Sequence, residues 1–334
     1  MRSPILFALL ATAAAAQSWI PQTSGTQASL RGVWAATDKV VWASGTRGTY
    51  LKTTDGGETW EAATVPGAEA LDFRDVHAVD DRTAWLMSIG TGETSRIYRT
   101  TDGGAHWGLQ FTNPDAKGFF DDIAFWDAKR GIVVGDAVEG HLVVFTTDDG
   151  GVHWDRRQTP AAVPNEGAFA ASGTSLIARA DRDAWIVTGG TGAARVFHST
   201  DGGRTWTVTT TPVRNDSPSA GIFSIAFSDS QHGVIVGGDY NQATATERNI
   251  AVTTDGGKTW KAPVGTPPAG FRSAVVYLPD RKVWIVTGPS GSDISTDDGV
   301  NWRPFDTGAF NAVSFVSSAA GWAVGPRGRI AKFQ

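Results

Sequence analysis

Arginine follows an aromatic or aliphatic residue at three corresponding places in the chain: Leu30-Arg31, Phe73-Arg74 and Phe271-Arg272. A planar guanidinium grips a carboxylate or phosphate through two parallel hydrogen bonds. Three of them on one surface would make an anion- or peptide-binding face. The equivalent places elsewhere hold Asp121, Ala170, Phe223 and Asn311. Loops that would open beside them add Arg47, Arg96, Asp136, Arg195, Asp239, Tyr240, Arg327 and Arg329. The segment Pro164 to Leu176 contributes Asn165, Glu166 and Ser172, in a stretch with small residues where its siblings have Val and Ile. Two readings stand side by side. The arginines bind a ligand, or they pair with Asp75, Asp121 and Asp136 in a structural belt.

Hydrolytic chemistry would need two carboxyls across a gap, and Asp121, Asp122, Asp136, Glu166 and Asp239 are the available ones. A nucleophile elbow, a phosphate-binding loop, a dinucleotide fingerprint and a clustered-histidine metal site are missing from the sequence. No catalytic residue, metal or cofactor is therefore assigned. His77 falls on an inner strand and reads as packing. Zero cysteines exclude disulfides and thiolate catalysis. A net charge of -5 without basic runs argues against nucleic acid.

These residues are positioned by a repeat. The box S/T-x-D-x-G-x-x-W occurs six times, around Asp55, Asp102, Asp149, Asp201, Asp255 and Asp297, ending at Trp60, Trp107, Trp154, Trp206, Trp260 and Trp302. Its hydroxyl and carboxylate can close a turn on backbone groups, its glycine permits positive φ, and its tryptophan can wedge between sheets. Three short strand patterns precede each box and one follows it. Four strands per unit, Gly-rich turns and no helical period predict an all-β propeller. First strands number seven and boxes six. The strand Ser18 to Gly25, with Trp19 in the box-tryptophan place, is predicted to complete the last blade, Phe310 to Gln334, and so remove an open edge.

Arg2, the apolar run Pro4 to Ala11 and Ala14 to Ala16 read as a signal peptide over 1–16. The propeller then occupies 17–334 as one domain, exported to the periplasm or beyond. No later segment is apolar enough to span a membrane.

The box resembles the Asp-box repeat of the sialidase-like propellers. The wider pattern F-R-x-V, G-W-A-V-G-x-x-G-x-I and T-x-D-G-G-x-T-W resembles the photosystem II stability/assembly-factor family. That resemblance implies seven blades and a non-enzymatic assembly role, with an arginine-rich face contacting a protein or peptide client. The family's arginines map onto Arg31, Arg74 and Arg272. The alternative is a glycoside hydrolase acting on a glycan. Against a sialidase, Phe271-Arg272-Ser273 departs from the expected F-R-I-P segment, and tyrosines number 4.

Overall fold

The computed structural model describes residues 17–334; the expected signal peptide lies outside the described residues. Seven antiparallel sheets follow one another along the chain. Blade 1 comprises strands Leu30–Ala35, Val41–Gly45, Thr49–Thr53 and Glu61–Thr64, and blade 2 spans Asp72–Ala78 to Gly108–Thr112. Blade 3 runs from Phe120–Phe125 to Asp155–Arg157, and blade 4 from Leu176–Arg179 to Thr207–Thr210. Blade 5 begins at Ala220–Phe227, blade 6 at Ala274–Leu278 and blade 7 at Ala312–Ser317. Within each sheet the strands neighbour in sequence order, with one exception. Trp19–Gln22 pairs antiparallel with Ile330–Phe333, in the register Trp19 to Phe333 and Gln22 to Ile330. The two chain ends thus share blade 7, as the sequence predicts.

The core is a ring of apolar clusters, each lying between two consecutive blades. A tryptophan marks every one. Trp60 packs between blades 7 and 1, Trp107 between 1 and 2, and Trp154 between 2 and 3. Trp206, Trp260 and Trp302 continue the series, and Trp19 fills the place between blades 6 and 7. Trp42, Trp85, Trp284 and Trp322, on second strands, are fully buried. A large apolar body at each blade junction is what makes the ring close-packed.

The boxes are turn staples on the outer rim. Thr53 Oγ1 donates to Asp55 Oδ1 at 2.7 Å and accepts from the Gly57 amide at 3.0 Å. Asp55 accepts from the Thr59 amide and hydroxyl at 3.0 and 2.6 Å. Gly56 and Gly57 hold φ of 76° and 84°, a conformation costly for other residues. The same hydroxyl-to-carboxylate bond recurs at Asp102, Asp149, Asp201, Asp255 and Asp297.

Two blades depart from the expected pattern. Blade 5 lacks a full fourth strand: after its box only Val252 and Lys261 pair. Pro263, Pro267 and Pro268 follow, and proline cannot donate to a ladder. Blade 4 is expected to start its inner strand at Phe169, yet the ladder begins at Leu176. The preceding segment leaves the sheet and crosses the central channel.

Candidate functional site

The crossing segment closes the channel floor by bonding to four other blades. The Ala170 carbonyl accepts from Arg74 Nη1 of blade 2 at 3.1 Å. Ser172 Oγ donates to the Ser273 carbonyl, at the edge of blade 6, at 2.7 Å. Thr174 Oγ1 meets Ser224 Oγ of blade 5 at 2.7 Å. Ser175 Oγ donates to Asp122 Oδ2 of blade 3 at 2.9 Å. Gly173 holds φ of 69° against Asp75, where a side chain would strike the carboxylate. Small and hydroxylated residues are what such a passage requires, which explains why this segment lacks the Val and Ile of its siblings.

Above the plug lies a cavity of about 720 Å³ with three kinds of wall. Arg31 and Arg74 line one side, Asp121 and Asp136 the next, and Phe169, Phe223 and Tyr240 a third. Phe169 and Phe223 stack at 3.9 Å with planes 7° apart, and Tyr240 stands edge-on to both at 6.4 and 6.1 Å. Asn311 and Asn165 also face the cavity. Asn311 is tied by Nδ2 to the Leu30 carbonyl at 2.7 Å, while Asn165 sits on an exposed turn with φ of 63°.

The two arginines differ. Arg74 Nε is held by Asp72 at 2.8 Å. Arg31 Nε is buried without a hydrogen-bond partner among the described residues. Burial, and then the Arg74 guanidinium, pull the Arg31 pKa down to about 10. That is the signature of a cation poorly compensated by the protein itself. Across the cavity, burial and then the Asp136 charge push Asp121 well above the usual carboxylate range. Burial raises Asp136 to about 6.

Several expected ligands sit elsewhere. Arg272 is not a channel arginine: it is 1% exposed, and Asp293 Oδ2 binds its Nε and Nη2, each at 2.6 Å. Without the backbone bulge seen in blades 1, 2, 3 and 5, the blade 6 strand turns Ser273 and Phe271, not Arg272, toward the cavity. Glu166 borders the cavity but is consumed by Arg195, with Nε of Arg195 2.8 Å from Oε1 and the Thr188 hydroxyl at 2.7 Å. Ser172 belongs to the plug. Asp239 is buried, accepting from Ser217 Oγ and the Asn241 amide at 2.9 Å each, where it caps its own loop. Arg47 and Arg327 occupy exposed hairpin turns with φ of 61° and 56°. Arg329 lies over the Phe310 ring. Among the described residues no arginine pairs with Asp75, Asp121 or Asp136, the acids expected in a belt; Arg272 and Arg195 are struts held instead by Asp293 and Glu166, and Arg31 fits the ligand-binding reading. The aromatic wall is the feature that sequence reasoning missed. Its signal was present in the leading Phe169 of blade 4 and in Phe223.

Asp75 and Asp122 form a second buried acid pair in the channel floor. Asp75 accepts from the amides of Val76 and Ile123 at 2.7 and 3.0 Å, and Asp122 from Leu176 at 2.9 Å. These bonds link the inner strands of blades 2, 3 and 4. Burial raises both carboxyls. His77, tilted against the Trp34 ring with centroids 3.9 Å apart, is pulled down to about 3 by burial and is a neutral core residue. Among the described residues, no group of three or more His, Asp and Glu could hold a metal ion, and no helix is long and apolar enough to cross a membrane.

The family model for the photosynthesis system II assembly factor YCF48 matches residues 110–214, from the last strand of blade 2 to just beyond blade 4. The BNR/Asp-box repeat model matches 251–262. No match is found among curated proteins. Among solved structures, "YCF48 bound to D1 peptide" is similar at 17% identity and TM-score 0.67, covering 94% of this chain and 96% of that one. YCF48 from Cyanidioschyzon merolae is similar at 20% identity and TM-score 0.67, covering 96% and 99%. The WD40 propeller domain of Doa1 matches at 12% identity and TM-score 0.64, covering 96% and 97%. At such identities the structural likeness speaks for the propeller fold alone. The chain is a seven-bladed Asp-box propeller that is similar, over residues 110–214, to the family of the photosynthesis system II assembly factor YCF48.

Proposed function

We propose that this protein is an exported, non-enzymatic propeller that binds a protein or peptide client in the cavity bordered by Arg31 and Arg74. The observation that carries the reading is Arg31: a half-buried guanidinium facing a cavity with its Nε unpartnered. A carboxylate from a client would compensate it through charge-assisted hydrogen bonds. The plugged floor makes the cavity a cup, suited to the end or the bend of a chain. A similar solved propeller is described as bound to a D1 peptide, which supports a peptide as the ligand class. Export is the reading of Arg2, the apolar stretch and Ala14 to Ala16. The glycosidase alternative retains Asp121 and Asp136 but loses Arg272, which Asp293 holds. The test is a pull-down from envelope extract with the wild type against Arg31→Ala/Arg74→Ala. Arg272 is left intact because its loss would threaten the fold. The double variant is expected to lose specific partners. Identical partners from both proteins would refute the reading.

A further inference from the structure

The cavity holds two charges of opposite sign, and the peptide-binding reading uses only the positive one. Asp121 is 2% exposed, lines the cavity, and its Oδ2 accepts no hydrogen bond among the described residues. A buried carboxylate oxygen left unpaired is costly. Asp136 lines the same wall. The backbone of the plug threads between the two acids. The Ala168 amide favours ionised Asp136 and the Ala170 amide favours ionised Asp121, so the acids flank Phe169. Any Cβ at Gly167 would collide with Asp136 Oδ1. The absence of a side chain there leaves this carboxylate room beside the backbone.

The floor pair shows what a purely structural acid pair looks like here. Asp75 and Asp122 also accept amide hydrogen bonds, and Asp122 Oδ1 too lacks a partner among the described residues, but neither residue borders the cavity. Asp121 and Asp136 instead face open space beside an aromatic wall. Two neighbouring carboxyls resist joint ionisation, and an incoming cation removes that resistance. Aromatic faces favour the same cation and cover the methylenes of a long basic side chain.

We propose that Asp121 and Asp136 form a cation subsite for a lysine or arginine side chain of the client, whose stem lies along Phe169, Phe223 and Tyr240. The cavity then reads a segment of mixed charge, with a carboxylate toward Arg31 and a basic group toward the acids. The proposal rests on the peptide-binding reading in taking the ligand to be a polypeptide.

The test is an NMR titration of the full mature chain with N-acetyl-lysine methylamide and with its neutral isostere, N-acetyl-norleucine methylamide. The wild type is expected to prefer the lysine probe by about fivefold or more. Asp121→Asn/Asp136→Asn, nearly isosteric, is expected to abolish the preference. Arg31→Ala/Arg74→Ala is expected to keep or increase it, because nearby positive charge is removed. Equal affinities for both probes in the wild type, binding of neither at millimolar concentration, or a preference that survives in the Asn variant would each overturn the proposal. A wild type that captures its client yet ignores the lysine probe refutes the cation subsite alone. A lysine preference with partners unchanged by the arginine substitutions refutes the client reading alone.

Discussion

Aspartate does opposite work on the rim and at the mouth. On the rim, hydrogen bonds from the turn hold the carboxylate below its ordinary range. The amide and ring of His106 bring Asp102 to about 2, and the hydroxyl and amide of Thr259 do the same for Asp255. At the mouth, burial dominates and the carboxyls rise: Asp136 to about 6, and Asp121 well above the usual carboxylate range. A rim carboxylate takes hydrogen bonds on both oxygens from its own turn. Asp121 has an oxygen with no protein donor. The same residue type is thus spent on stability in one place and left available in the other.

The comparison is sharpened first by setting a buried strut against a cavity arginine, and Arg272, which does not line the cavity, is the strut to try. Arg272→Ala leaves Asp293 charged and buried. A loss of about 3 to 5 kcal/mol is expected by chemical denaturation, against little change for Arg31→Ala. On the rim, Ser199→Ala removes the hydroxyl that donates to Asp201 and accepts from the Gly203 amide, both at 2.8 Å. A loss of about 1 to 2 kcal/mol is expected in the same assay. Equal effects at Ser199 and Arg31 would mean the two regions are not distinct.

The smallest expected effect is the pH dependence of stability. Rim carboxylates have folded pKa values below the ordinary one, so their contribution is present above about pH 4 and fades as pH falls toward 2. Asp136 has a raised folded pKa. Its protonated form is favoured by folding, so that contribution is full below about 3.8 and is lost as pH rises toward 6. The melting temperature is expected to peak in mildly acidic buffer. Asp136→Asn is expected to flatten the decline between about pH 4 and 6 and leave the acid limb unchanged. An unaltered decline would show that the mouth carboxyl is not the cause.

The rim was legible because it is local: the hydroxyl, carboxylate and glycine amides of a box bond to one another within eight residues, and its tryptophan stands at a fixed place after them. Trp19 and the closing strand were legible for a related reason, since a missing repeat element at one end leaves a single place for it at the other. The mouth was only half legible. Arg31 and Arg74 lie where the repeat puts them, whereas Arg272 is turned away by a register that carries no bulge. Asp293, the partner that buries it, lies 21 residues further on. No motif marks Ser172 or Thr174 as a plug. Their bonding partners, Ser273 and Ser224, come from other blades.

From composition and periodicity alone came the all-β architecture, the number of blades, the staples that turn each hairpin and the latch between the chain ends. Each follows from interactions between near neighbours or from one repeat matched with the next. Tertiary structure alone decided which charges are free. An arginine is a ligand or a strut according to which groups the strand register brings beside it: Asp293, on the third strand of the same blade, holds Arg272, whereas Arg31 Nε has no partner among the described residues.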